Sequence, residues 1–395
     1  MSTENDNFQK ETLIDKNSYA EIYKGKNKNS NENLLIEEIN KEKYFSEMKE
    51  NLTLEEIIKN LNDEEKNSII EKKETENLIY IIKKYNIKNI KLFTKKIQLT
   101  NINLTQIKTF PSEEEEIYSI LTFPSGNLLV ILSESIKIFN TEFEELQKIL
   151  NAHEDIINSA SIKDEDNFLT CSNDLKIKLW IKENNNFILY SCVENAHSDN
   201  INDVKYFLNG NFVSCSNDKI IKIWIDKNNN KEFQCKLSIN NSFILYNLFL
   251  IEDKNILICM GEEGTIFYNF EHFQMLKKLD EVKVDLHGNQ IDKFDDDKII
   301  FGGKENLFIF SLSKNEIVNK IDIDFTCFSL FVIEEKGILV IIGDDEFIRV
   351  FRNDNFECIC SIKGTEFGNM YGIFKLKNGL IGSFSEDDKI KIWKY

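Results

Sequence analysis

From about residue 111 onward, the chain alternates short apolar runs with clusters of Asn, Asp, Gly and Ser. Runs such as NFLTCSND and NILICMGEEG are typical of β-strands that end in turns. The region shows no helical period. The pattern therefore predicts a mainly β region built from many short strands.

An internal repeat decides the architecture of this region. The segment NAHEDIINSASIKDEDNFLTCSNDLKIKLWIKENNN starts at Asn151, and NAHSDNINDVKYFLNGNFVSCSNDKIIKIWIDKNNN starts 44 residues later, at Asn195. Both open with an Ala-His pair, carry an Asp in a turn and end their third strand on a Trp. In these features the two segments resemble WD repeats. The resemblance implies a β-propeller in which each repeat supplies one four-stranded blade.

Five weaker copies of the third-strand pattern occur elsewhere. They are Ile136–Phe139, Ile266–Asn269 with Tyr268 beside it, Leu307–Phe310, Ile348–Phe351 and Ile390–Trp393. The seven pattern ends are separated by 41, 44, 45, 41, 41 and 42 residues, close to the roughly 40–45 residues of one blade. Residues 111–395 are therefore predicted to form a seven-bladed WD-repeat β-propeller.

The last repeat predicts how the ring closes. The chain ends at Tyr395, two residues after the third strand of the last blade. Residues 102–109 occupy the position of a fourth strand ahead of the first blade. Residues 96–110 are therefore expected to connect the propeller to the preceding region and to complete the last blade, which removes two exposed sheet edges.

The resemblance also implies a hydrogen-bonded chain of four side chains in each of the two clear repeats. These structural tetrads are His153, Thr170, Asp174 and Trp180, and His197, Ser214, Asp218 and Trp224. Such a chain satisfies a buried carboxylate and an indole N–H. A His, a carboxylate and a hydroxyl are also the parts of a catalytic triad. The hydroxyl is expected inside the blade, so we interpret the tetrads as structural clasps. The other five repeats lack the His, which predicts looser loops there.

Before the propeller we expect a disordered tail at 1–9 and a small α+β domain at 10–95. The domain is expected to contain a hairpin at 13–25, a strand at 34–39, a helix at 53–61 and a strand at 76–85. In this order the parts resemble the first hairpin, third strand, helix and fifth strand of the small lobe of a protein kinase, in degenerate and truncated form.

The residues of kinase chemistry are replaced. Asp15, Asn17 and Ala20 stand where the resemblance would place glycines, Glu37 stands in place of the phosphate-binding lysine, and Leu54 falls near the glutamate that would pair with it. The sequence has neither an HRD-like nor a DFG-like motif. Phosphoryl transfer is therefore not expected, and a generic α+β adaptor domain is the alternative interpretation.

Charge is divided unevenly along the chain. The 395 residues include 67 acidic and 49 basic side chains, a net charge of −18. Residues 1–110 sum to zero, so the propeller carries the whole deficit and should repel nucleic acid. The candidate basic surface is a window of seven lysines between Glu76 and Glu113. These lysines fit either an acidic partner or the solvated faces of strands.

Other features limit the function classes. No apolar run approaches the ~18 residues of a membrane span, which predicts a soluble, intracellular protein of the cytoplasm, with the nucleus as the alternative. The eight Cys show no CxxC pair and are expected to be reduced, and Cys358 and Cys360 alone are too weak a metal signal. Neither a catalytic site nor a metal or cofactor is predicted.

The sequence therefore predicts a non-catalytic scaffold that binds proteins through propeller loops, within a multiprotein complex. The Asp-rich loops Asp295–Asp297 and Asp344–Asp345 favour partners with basic surfaces. Two alternatives stay open. The segment LTLEEIIKNLNDEE faintly resembles an F-box and would make the chain a substrate receptor of a ubiquitin ligase; the kinase resemblance would make it a regulatory pseudokinase-like protein.

Overall fold

The chain divides into two units, Met1–Asn101 and Ile102–Tyr395. The structure is a computed structural model. It describes residues 8–16, 20–27, 33–40, 69–74, 78–84, 104–111, 115–227, 231–284, 290–364, 368–377 and 379–394, with the backbone alone in the first five ranges and at 110–111.

The described part of the first unit is an antiparallel sheet. Its strands are β1 (Phe8–Lys16), β2 (Ala20–Asn27), β3 (Asn33–Asn40), β4 (Ile69–Glu74) and β5 (Leu78–Lys84), in the order β1-β2-β3-β5-β4. β1 begins inside the stretch expected to be a disordered tail, and β4 was not singled out in the sequence. The expected helix at 53–61 and the lysine side chains at 83–96 lie outside the described residues.

The second unit consists of antiparallel sheets, named here I to VI in chain order. Sheet I contains β7 (Ile117–Thr122), β8 (Leu128–Leu132), β9 (Ile136–Phe139) and β10 (Glu145–Ile149); sheet II contains β11 (Ile157–Ile162), β12 (Asn167–Ser172), β13 (Ile177–Glu183) and β14 (Asn186–Val193); sheet III contains β15 (Ile201–Tyr206), β16 (Phe212–Ser216), β17 (Ile220–Lys227) and β18 (Glu232–Asn240).

The remaining sheets follow the same meander. Sheet IV contains β19 (Leu245–Ile251), β20 (Ile256–Gly261), β21 (Gly264–Asn269) and β22 (Gln274–Leu279); sheet V contains β23 (Ile291–Lys293), β24 (Lys298–Gly302), β25 (Lys304–Ser311), β26 (Glu316–Ile333), β27 (Ile338–Gly343), β28 (Phe347–Arg352) and β29 (Cys358–Lys363); sheet VI contains β30 (Met370–Lys375), β31 (Ile381–Ser385), β32 (Lys389–Lys394) and β6 (Thr105–Pro111). Short 3₁₀ turns occur at Glu252–Lys254 and Glu334–Lys336.

The core lies between neighbouring sheets. The middle strands are apolar on both faces; every residue of β8, with sequence LLVIL, is buried. Separate clusters of buried side chains fill the interfaces I–II, II–III, III–IV, IV–V and VI–I. In the last of these, Phe374, Phe384 and Ile392 pack against Ile120 and Val130. β30 of sheet VI lies against β26 and β27 of sheet V. The six sheets therefore form a closed ring, the arrangement of a β-propeller.

The prediction of seven separate blades is wrong in one respect. Five sheets have four strands, whereas the fifth and sixth repeats are continuous in the seven-stranded sheet V. The long strand β26 pairs with β25 through its first part and with β27 from Cys327 onward. The equivalent connections before sheets II and III turn at Asn151 and Asn195, with φ of 50° and 48°. The sequence DIDFTCF at 322–328 has no Asn or Gly for such a turn.

The end of the fourth repeat pattern is also corrected by one residue. Tyr268 pairs with Leu257 and lies at the bulge opposite Met275, just as Trp180 pairs with Phe168 and lies opposite Leu189. Tyr268 is buried. The third-strand position therefore belongs to Tyr268 and not to Asn269, which the sequence pattern had chosen.

β6 is the fourth strand of sheet VI. It pairs antiparallel with β32, with Thr105 opposite Lys394 and Lys108 opposite Ile392. The strand comes from the N-terminal side of the unit, so both ends of the propeller chain meet in one sheet. Backbone hydrogen bonds across this pair cover the edge of β32 that would otherwise be open.

We expect removal of β6 to destabilise the whole ring. The melting temperature of residues 112–395 should lie roughly 10 °C below that of residues 102–395. The loss of strand pairing costs several kcal/mol of stability, and each kcal/mol lowers the melting temperature by about 2–4 °C. It should also aggregate through the exposed β32. Calorimetry with light scattering measures both effects. Equal melting temperatures would show that β6 does not hold the ring together.

Candidate functional site

The turns between the second and third strands of sheets II and III share one local structure. Both are formed by the sequence Ser-Asn-Asp, in which the Ser hydroxyl accepts a hydrogen bond from the Asp amide. The same hydroxyl donates to the carbonyl of Asp155 in sheet II and of Asp199 in sheet III. The next residue, Leu175 or Lys219, adopts φ of 66° or 67°. These local bonds place the Asp side chain toward the connection that enters the sheet.

The structure brings all four residues of each expected tetrad together. His153 lies 2.8 Å from Asp174 through Nδ1 and 2.7 Å from Thr170 through Nε2, and Trp180 Nε1 donates to Thr170 at 2.9 Å. The second tetrad repeats this geometry: His197 lies 2.9 Å from Asp218 and 2.7 Å from Ser214, and Trp224 donates to Ser214 at 2.8 Å.

The chemistry of the groups fixes the direction of these hydrogen bonds. An indole N–H can only donate, so the hydroxyl of Thr170 accepts from Trp180 and directs its own hydrogen to His153 Nε2. His153 is then neutral and donates from Nδ1 to Asp174. His153 and Thr170 are 1% and 0% exposed. A substrate cannot reach them, which argues against the triad interpretation.

The pKa values follow from this arrangement. Burial lowers the pKa of His153 and of His197, although the neighbouring Asp opposes the shift. Burial alone would raise the pKa of Asp174, but hydrogen bonds from His153 and from the amides of Glu154 and Lys176 outweigh it and lower that pKa to about 2. The pKa of Asp218 is lowered in the same way. Each Asp thus remains ionised and links the incoming connection to the turn.

A lysine on the third strand, not singled out from the sequence, adds a further bond to the incoming connection in each of three sheets. Lys178 donates to the carbonyl of Ala152 at 2.7 Å, and Lys222 donates to that of Ala196 at 2.6 Å. In sheet VI, Lys391 donates to the carbonyl of Gly364 at 2.9 Å. Each lysine precedes a Trp by two residues, as in KLW and KIW. That recurrence was the available signal.

The repeats without the His keep parts of the clasp. Trp393 donates to Ser383 at 2.9 Å, and the buried Asp387 pairs with Lys391 at 3.3 Å. In sheet IV, the hydroxyl of Tyr268 donates to Asn241 in the connection that enters the sheet, at 3.1 Å. These connections are therefore attached by different bonds, and their greater mobility stays a prediction.

The two Asp-rich loops lie at opposite ends of their sheet. Asp295–Asp297 join a first strand to a second, and Asp344–Asp345 join a second to a third. Several of their carboxylates are already engaged: Asp295 pairs with Lys298 at 2.7 Å, and Asp345 accepts from Arg349. The two loops therefore cannot serve one common binding rim.

The turns between second and third strands form a single acidic rim. They carry Glu134, Asp174, Asp218, Glu262, Glu263, Asp344, Asp345, Glu346, Glu386, Asp387 and Asp388, against the two basic residues Lys176 and Lys219. Glu134, Glu263, Asp344 and Glu386 are exposed. These turns therefore carry a net negative charge.

The inner strands surround a central cavity of about 380 Å³. Side chains link these strands around the ring: Asn158 donates to Ile201 O and Asn202 to Leu245 O, both at 2.8 Å. In sheet V, Gln290 donates to Cys327 O at 2.8 Å. These amides contact sheets or strands that are distant in sequence, so no local sequence pattern marks them.

Within the described ranges, no cluster of His, Cys, Asp or Glu has an arrangement that could hold a metal ion, and no described helix has the length and apolarity to cross a membrane. The eight thiols form no disulfide; Cys358 is exposed, whereas Cys360 is buried.

We expect a hydroxyl that is hydrogen-bonded to both His and Trp to contribute more to the free energy of unfolding than a hydroxyl that is bonded to Trp alone. Ser214→Ala leaves two ring nitrogens without a partner, His197 Nε2 and Trp224 Nε1, whereas Ser383→Ala leaves one, Trp393 Nε1. Each orphaned group costs about 1–3 kcal/mol, so Ser214→Ala should lower the free energy of unfolding by the larger amount. Urea titration followed by Trp fluorescence measures both, since the chain has 3 Trp. Equal losses would contradict the clasp.

We also expect mild acid to destabilise the propeller through its two buried histidines. Their folded pKa lies below 6.5, so the unfolded chain binds more protons, and stability is full above pH 6.5 and falls as the pH drops below it. Asp174, with a pKa of about 2, contributes no loss in that range. The melting temperature should fall by a few degrees between pH 7.5 and 5.5.

A double variant, His153→Asn with His197→Asn, is the control for this pH effect. It should be less stable at pH 7.5 but should lose most of the pH dependence, because the two buried imidazoles are gone. The other two histidines, His272 and His287, are the same in both proteins. An unchanged slope in the double variant would assign the effect to other groups.

Comparison with known proteins supports the repeat assignment. The family described as WD domain, G-beta repeat matches residues 144–180 and 190–224. Each matched unit begins at the outer strand of one sheet and ends at the tetrad Trp of the next, Trp180 or Trp224. A search of curated proteins found no match, and the kinase resemblance of the N-terminal region has no support. The chain therefore contains WD40 repeats and folds into a mainly β structure with a β-propeller.

Proposed function

We propose that this protein is a non-catalytic scaffold that binds a protein with a basic surface through the acidic rim. WD40 propellers typically mediate protein–protein interactions, and the matched repeats at 144–180 and 190–224 support the same role for this chain. The observation that carries the choice of partner is the acidic rim, whose turns contain eleven carboxylates and two lysines and expose Glu134, Glu263, Asp344 and Glu386.

The rim is suited to binding because its loops are short and fixed to a stiff frame. In sheets II and III each turn is tied by its Asp to the preceding connection, through Glu154 N at 3.1 Å and Ser198 N at 3.1 Å. Loops held on a rigid frame lose little conformational entropy when a partner binds.

The proposed frame has seven blades. Sheet V corresponds to two of them. The first part of β26 completes the blade of β23, β24 and β25, and its second part begins the blade of β27, β28 and β29. The proposed role excludes phosphoryl transfer, and neither the ubiquitin-ligase nor the pseudokinase alternative has an observation in its favour. Both depend on residues before the propeller.

A charge-swap comparison tests the rim. We expect Glu134→Lys with Glu263→Lys to lower capture of the natural partner from native cell extract at least tenfold at physiological salt. The matched control is Asp253→Lys with Asp296→Lys, which changes the net charge equally in turns at the other end of the ring. Quantitative mass spectrometry measures retention on each chain.

The possible outcomes distinguish the rim interface from the alternatives. Equal loss in both variants would show that net charge, and not the rim, drives capture; no loss in either would remove the rim from the interface. Capture by full-length protein but not by residues 102–395 would move the function into the first unit. Ligase subunits retained only by the full chain would favour the substrate-receptor alternative.

A further inference from the structure

The outer strand of each propeller sheet has one edge that no other strand covers in the described structure. These outer strands are β10, β14, β18, β22, β29 and β6. All but β14 contain lysine: the residues are Lys148, Lys236, Lys277, Lys278, Lys363 and Lys108. A lysine on an edge strand opposes pairing with a strand of another molecule. β14, with sequence NFILYSCV, contains no charged residue at all.

β14 also exposes three consecutive large apolar side chains. Ile188, Leu189 and Tyr190 are 41%, 47% and 47% exposed. The other outer strand with neighbouring exposed apolar residues is β22, where Met275 and Leu276 are followed directly by two lysines. Lys231 of sheet III lies 5.1 Å from the ring centroid of Tyr190, but its ammonium donates to Asn167 within the propeller. An apolar patch on an uncharged edge is typical of an interaction site.

The main chain of β14 is covered from outside sheet II at one residue. The side chain of Gln147 in β10 donates to the carbonyl of Phe187 at 2.8 Å and accepts from its amide at 2.7 Å. This side-chain amide makes the pair of bonds that a neighbouring strand would make. Among the described residues, no hydrogen bond from outside sheet II reaches the main chain of residues 188–193. That part of the edge is therefore available for strand pairing.

We propose that β14 pairs antiparallel with β14 of a second copy of this chain, so that the protein forms a dimer across this edge. The two sheets II then make one continuous sheet about a twofold axis. A strand without charge can lie against its own copy with no like charges opposite each other. The same pairing at any other outer strand brings lysines of the two copies together. This inference goes beyond the proposed function, which concerns the acidic rim alone.

The direction of β14 determines what such a dimer presents. β14 follows the turn at Asn184 and Asn185 and runs back toward the end of the ring that carries the acidic rim. In an antiparallel pair, the two rims therefore lie at opposite ends of the joined sheet. Each dimer offers two separate rims, and neither rim is covered by the contact.

The net charge of the chain sets the salt dependence of this contact. Each copy carries a net charge of −18, so two copies repel each other at long range. Salt screens this repulsion, whereas apolar burial and main-chain pairing remain. The dimer should therefore tighten as salt rises, the reverse of an association driven by opposite charges.

Sedimentation of the full-length protein between about 1 and about 100 µM tests the proposal. We expect a monomer that converts to a dimer, with a dissociation constant at least threefold lower in about 0.5 M salt than in about 0.15 M salt. Leu189→Lys places like charges across the pair and should raise that constant at least tenfold. In the unaltered protein, amide hydrogens of residues 188–193 should exchange more slowly at the high concentration than at the low one.

The matched control is Met275→Lys, the same exchange at an exposed apolar residue of β22. It should leave the dissociation constant within twofold, and thermal unfolding should show that both variants are folded. A protein that stays monomeric at the highest concentration would overturn the proposal and leave the edge to a strand of another protein. A dimer that Leu189→Lys does not weaken, that both variants weaken equally, or that loosens as salt rises would also overturn it.

Discussion

The constraint on which the structure depends is that each propeller sheet is apolar on both faces. A strand such as β8, buried along its whole length, cannot contribute to a sheet with one face in water. Every sheet therefore needs a neighbour on each side, and a linear stack would leave its two terminal faces exposed. Closure into a ring removes both faces at once. The contact of Phe374 and Phe384 with Ile120 and Val130, residues more than two hundred positions apart, completes it.

The tetrads solve a second problem, which is how to fix polar loops on an apolar frame. A turn in water gains little from packing, so its position must come from directed bonds. Asp174 and Asp218 supply these bonds because each accepts from a His and from backbone amides on two different segments. Sheets II and III carry the full set and match the family pattern, whereas sheets IV and VI use a Tyr or a Trp–Ser pair instead.

Local and repeated features could be read from the sequence. Trp180 and Trp224 recur with their Asp and His at fixed distances, so a pattern along the chain was enough to group them. The fourth repeat was placed one residue late, because Tyr268 and Asn269 both satisfy a loose strand pattern and only the bulge at Tyr268 distinguishes them. The absence of a turn between the repeats of sheet V was visible as DIDFTCF, yet periodicity alone does not reveal whether a strand continues.

The cavity wall and the links between inner strands were beyond sequence reasoning. Glu116, Asp203 and Asn247 come from three separate sheets and meet only when the ring is assembled. Their residue types are ordinary for solvated strands, so nothing in the local sequence marks them. What identifies them is their common position on the cavity wall.

The continuous strand β26 gives the ring an unequal stiffness. Elsewhere, adjacent sheets are joined by connections that can twist, so each sheet can tilt slightly against its neighbour. In sheet V, one extended backbone runs through both halves from Glu316 to Ile333, and a tilt of either half bends a strand that the other half also pairs with. Amide hydrogens on β25 and β27 should therefore exchange with solvent as one cooperative group, and strain applied anywhere on the ring should concentrate in the seams outside this sector.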